Sequence, residues 1–61
     1  MNSREILKTL KKDGWIIVDQ RGSHIQLKHP QKAGRVTVPS HGSKDIPIGT
    51  VKQIFKQAGI Q

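Results

Sequence analysis

The apolar residues of this chain change period twice. At the start they recur at helical spacing, as Ile6, Leu7 and Leu10. In the middle they alternate, as Ile25 and Leu27 in HIQLKH and Val36 and Val38 in RVTV. Helical spacing returns with Ile48, Val51, Ile54, Phe55 and Ala58. A chain that reads helix, strands, helix has one obvious solution, a small sheet with both helices packed on one of its faces.

Local signals sharpen that order. Asn2 and Glu5 fit a capping box, with Ser3 an almost equal cap, and Gly14 stops a first helix over about residues 3–13. Arg4, Lys8, Lys11 and Lys12 gather on its polar side. Trp15 to Val18 is a short apolar run, followed by DQRGS as turn chemistry. The next strand starts at His24 and ends before Pro30, PQKAG turns the chain, and Pro39 ends RVTV. SHGSKD is a polar loop, Pro47 suits the first turn of the last helix, and Gly59 suits its end. The expectation is an α+β fold of order α-β-β-β-α. Its three-stranded antiparallel sheet carries both helices on one face, in a single domain over residues 1–61.

Strand alternation divides the sheet residues. Ile25, Leu27, Val36 and Val38 point toward the helices. His24, Gln26, Lys28, Arg35 and Thr37 point away, onto a polar and basic face. Eleven Lys and Arg against four Asp and Glu give a net charge of +7, which favours a polyanionic partner, nucleic acid first and an acidic protein second. The absence of cysteine excludes disulfides, thiolate metal sites and cysteine nucleophiles. No run approaches the roughly 20 apolar residues of a membrane span, so the expected compartment is the cytoplasm, with no membrane partner.

Among nucleic-acid readers, a helix-turn-helix does not fit two helices separated by strands. Base-stacking sheets need several exposed aromatics, and Trp15 and Phe55 are the only two aromatic residues of this kind. The element order is that of double-stranded-RNA-binding domains. Their usual lysine cluster at the start of the second helix is missing, and Lys44, Lys52 and Lys56 are more dispersed.

His24 and His29 lie an odd number of residues apart on one strand and should face opposite ways. His41 lies in a loop, and no carboxylate is spaced to join any two, so neither a metal nor another cofactor is expected. A histidine on a basic face supports different chemistry. RNA carries its own nucleophile, the 2′-hydroxyl, and cleavage needs proton transfer and charge stabilisation, which His24 and the cations Lys28 and Arg35 could supply. Backbone N–H groups near Gly22 could contact phosphate. From spacing alone, a surface histidine at a strand start is the simpler reading.

Four stretches in order, LKKDGW, GSHIQLKHP, GRVTVPSH and KDIPIGTVKQIFKQAGI, resemble the HicA toxins of two-gene toxin–antitoxin modules. That resemblance implies the α-β-β-β-α fold, a metal-independent endoribonuclease acting on mRNA, and a HicB-type antitoxin that covers the active site. The catalytic histidine of the family's Gly-Ser-His falls on His24, preceded by the matching Gly22 and Ser23. Lys28, Arg35, His41 and Lys44 complete the expected phosphate-binding set, His41 being open to phosphate or to the antitoxin, and His29 is read as a strand-end residue. The alternatives are a non-catalytic RNA-binding module and a domain that binds only an acidic protein.

Overall fold

A computed structural model describes residues 1–60. Its elements are α1 (Ser3–Lys12), β1 (Ile16–Arg21), β2 (His24–Lys28), β3 (Arg35–Pro39) and α2 (Ile48–Gln57). The strands form one antiparallel sheet, as expected, and their order across it is β1-β2-β3. Both helices cover one sheet face. Ile6 and Leu10 from α1, Val51 and Ile54 from α2, and Ile25, Leu27, Val36 and Val38 from the sheet form a single buried cluster with Trp15, Ile46 and Ala58.

The capping box is present. The Asn2 side chain accepts from the Glu5 amide at 2.9 Å, and the Glu5 carboxylate accepts from the Asn2 amide at 3.0 Å. α1 ends one residue earlier than expected, with Asp13 as its C-cap. Pro47 precedes α2 as its N-cap rather than entering the first turn.

Two apolar assignments differ from the periodicity. Ile48, the first residue of α2, is 72% exposed, while Ile46 in the preceding loop is buried and joins the core in its place. In the run WIIV only Trp15 is buried, and Ile16, Ile17 and Val18 are 57%, 39% and 48% exposed. These three residues lie on the edge strand β1, whereas the buried core lies over β2 and β3.

The end of the molecule opposite the β1–β2 turn is tied by polar contacts. Lys32, in the β2–β3 connection, donates to the Asp13 carboxylate and, at 2.9 Å, to the Ala58 carbonyl beyond α2. Trp15 Nε1 donates to the same carboxylate at 3.2 Å. His29 Nδ1 accepts from the Gln31 amide at 3.0 Å, which leaves Nε2 to carry the proton and donate to the Asp13 carbonyl at 2.7 Å. The ring also meets Trp15 edge-on, with centroids 5.3 Å apart. His29 is therefore a strand-end residue with a structural task.

The Lys32 hydrogen bond holds the Asp13 carboxyl below the usual aspartate range, against the opposing effect of burial. A depressed folded-state value adds stability that is fully present above the unfolded value, near 3.8, and is lost as pH falls through the folded one. Chemical denaturation of Asp13→Asn across that acid window should show a flatter pH dependence than the parent. Gly14 sits at φ 104°, and a Cβ there would lie 2.7 Å from the pinned His29 Nε2. Gly14→Ala should cost roughly 1–3 kcal/mol, lowering Tm by about 4–8 °C per kcal/mol in a thermal melt.

Candidate functional site

The β1–β2 hairpin turns more tightly than the DQRGS stretch suggests. Arg21 pairs directly with His24, so the loop is Gly22–Ser23 alone, and Asp19, Gln20 and Arg21 belong to the strand. Gly22 takes φ 57°, a conformation that glycine adopts without a Cβ penalty. The Ser23 carbonyl then accepts from the Ser40 amide at 2.6 Å, fastening this turn to the segment after β3.

β1 contains a bulge. Ile17 pairs with Leu27 and Asp19 with Gln26, leaving Val18 as the extra residue. Directly paired residues of an antiparallel ladder share a face. Without the bulge, alternation from Ile17 would send Asp19 and Arg21 toward the helices. With it, both stand on the outer face.

That face has three rows across the sheet. The first is Ile16, Lys28 and Arg35, the second Asp19, Gln26 and Thr37, and the third Arg21, His24 and Pro39. His24, exposed at the start of the central strand, is thus flanked by Arg21 on β1 and Pro39 on β3. Arg21 Nε donates to Asp19 Oδ2 at 3.2 Å, which orients the guanidinium along β1. Arg35 Nη1 donates to Gln26 Oε1 at 2.9 Å.

Lys28 and Arg35 share the face with His24, as alternation predicts, but they do not share its row. Lys28 is four residues along β2, about 13 Å from His24 at the usual strand rise, and Arg35 is its cross-strand neighbour. The Arg35 guanidinium extends from the Lys28 row toward His24 as far as the middle row, where it bonds to Gln26. Arg21 is the cation beside His24, and sequence reasoning missed it by taking it for turn. His41 and Lys44 are exposed in the loop after β3, joined by a Lys44 amide to His41 carbonyl bond of 3.2 Å. His41 follows Pro39 by two residues and so lies at the His24 end of the sheet.

A family model described as HicA toxin of bacterial toxin–antitoxin matches residues 3–60. The chain belongs to the HicA toxin family. It is therefore the toxin member of such a pair, with an antitoxin as partner. Comparison with curated proteins finds no match. In this HicA toxin no helix among the described residues is long and apolar enough to cross a membrane. The Gly-Ser-His stretch is the two-residue turn plus the first residue of β2, and its histidine is held at the surface by the tightest turn of the sheet.

Nothing lies within 4 Å of a Cβ placed on Gly22, so a substitution there meets only backbone strain. Gly22→Ala should lower stability by about 1–2 kcal/mol and Gly22→Asn by less, measured by denaturant titration.

Proposed function

We propose that this HicA toxin is an endoribonuclease that cleaves mRNA with His24 as a proton-transfer residue. The observation that carries the reading is the position of His24, exposed on the central strand at one end of a basic sheet face and directly opposite Arg21. The 2′-oxygen of the substrate attacks the adjacent phosphorus, and the bond to the 5′-oxygen breaks. The products are a 2′,3′-cyclic phosphate and a 5′-hydroxyl. One proton leaves the 2′-hydroxyl and another reaches the departing 5′-oxygen, and an imidazole can perform either transfer near neutral pH. The substrate supplies the nucleophile, so no metal-bound water is required.

The cations then take different roles. Arg21 faces the reacting phosphate and stabilises the charge that builds on it. Lys28 and Arg35, one end of the sheet away, hold a different phosphate of the same strand. The Gly22 and Ser23 backbone and the loop residues His41 and Lys44 add contacts around the turn. Loss of translatable mRNA would then slow growth.

A HicB-type antitoxin would silence this chemistry by covering the outer face. Ile16 shares its row with Lys28 and Arg35, and Ile17 and Val18 lie beside it on the exposed edge. A protein with acidic groups flanking an apolar strip matches that combination, and unpaired edge backbone offers a place to add a strand.

His24→Ala should reduce cleavage of a mixed-sequence RNA in chelator by at least about 10²-fold, with an unchanged melt. Cleavage at the parental rate would remove His24 from the mechanism. Salt-dependent retention of RNA by the parent chain without any product would instead support a binding module.

A further inference from the structure

A concave surface lies on the opposite side of the sheet from His24. It is an open groove of about 700 Å³ between α1 and the segment after β3, within the roughly 300–1,000 Å³ usual for a ligand site. Its charged lining residues are Arg4, Lys8 and Lys11, all cationic. They follow one another on α1 at i, i+4 and i+7, so they form a row along one side of the helix. The floor is apolar, from Leu7 and Ile25, and the far wall is Ser40, Gly42 and Ser43.

The walls are tied together. Ser3 Oγ donates to the Gly42 carbonyl at 3.4 Å, and the Ile46 amide donates to the Met1 carbonyl at 2.8 Å. Asn2 and Asp45 form a further backbone bridge. The N-terminal turn of α1 and the loop therefore stand in a fixed relation, and the groove is formed before anything enters it.

The groove also adjoins the candidate active site around the end of the sheet. Its floor residue Ile25 directly follows His24 on β2, pointing to the opposite face. Its wall residue Ser40 directly follows Pro39, the cross-strand partner of His24, and bonds to the Ser23 carbonyl. A flexible polyanion leaving His24 can pass over the Gly22–Ser23 turn and reach Ser40 within a few nucleotides.

We propose that this groove binds nucleotides of single-stranded RNA flanking the cleaved bond, with phosphates along Arg4, Lys8 and Lys11 and a base against Leu7 and Ile25. The proposal rests on the ribonuclease reading for the identity of the strand. Charge selects the occupant: a row of three cations with no acid in the lining fits a backbone of evenly spaced phosphates. An apolar floor beneath them fits the face of a base.

The test measures binding apart from cleavage. In the His24→Ala background, Arg4, Lys8 and Lys11 are replaced by Gln, which keeps good helix propensity. Affinity for a roughly 12-nucleotide single-stranded RNA is measured by anisotropy over a salt series. Loss of three single-strand phosphate contacts should lower the slope of log K against log salt by about 2, and weaken binding at low salt by roughly tenfold or more. Ser43→Asp, which places an acid in the wall and leaves α1 intact, should weaken binding in the same direction, and it serves if the triple variant does not fold. An unchanged salt slope in a folded variant would overturn the proposal. So would variants that lose only antitoxin binding, since the groove would then hold protein. If the parent chain binds RNA through the groove yet yields no product, the ribonuclease reading fails and the groove stands.

Discussion

The Lys32 ammonium group joins three parts of the chain that share no hydrogen-bonded ladder. It reaches from the β2–β3 connection to the Asp13 carboxylate at the end of α1 and to the Ala58 carbonyl at the end of α2. Both helix C-termini therefore converge on one cation, the arrangement that the helix dipole favours. The same carboxylate holds the Trp15 indole, and the Asp13 carbonyl accepts from His29. A chain of this size buries only about 60% of its unfolded surface, so fixing both helix ends over the sheet matters more than one exposed ion pair would. Side-chain exposures of 37% and 33% place the Lys32–Asp13 pair between surface and core.

With one end closed in this way, the other is free to carry chemistry. The decisive local event is the Val18 bulge. It turns Asp19 and Arg21 onto the outer face and places a guanidinium in register with His24. The bulge and the two-residue turn act together. Gly22 lets the strands reverse at once, and the reversal makes Arg21 and His24 direct partners instead of ends of a wide loop. Bulges recur where a side chain has to be re-aimed, and here the re-aimed side chain is the only Arg or Lys in the His24 row.

Most of the architecture was legible because its signals are local. The capping box, the glycine stop and the alternation of HIQLK and RVTV each specify a backbone state without outside help, and the inward residues Ile25, Leu27, Val36 and Val38 are all buried. What could not be read depends on pairing between segments. Ile16 to Val18 look like core by composition, but an edge position leaves them exposed. Asp19 to Arg21 look like turn by residue type, but cross-strand register draws them into β1. His24 was legible as an outward residue on one face with Lys28 and Arg35, but not its separation from them by a full strand length. Its neighbour Arg21 was not, since no periodicity announces a bulge.

The charge balance follows from the same division of labour. Each of the four acids has a local task. Glu5 closes the capping box, Asp13 receives Lys32, Asp19 orients Arg21, and Asp45 lies 4.0 Å from the N-terminal ammonium. Two of the eleven Lys and Arg, Lys32 and Arg21, enter those ion pairs. Among the rest, Lys28 and Arg35 lie on the outer sheet face, Arg4, Lys8 and Lys11 line the groove, and Lys44 stands in the loop at the sheet end that links the two. The excess of +7 is thus not an even coating. Lys12, Lys52 and Lys56 lie elsewhere, and the other six of the nine cations outside the ion pairs lie on or between the two surfaces that meet around the Gly22–Ser23 turn, where one polyanionic strand can touch both.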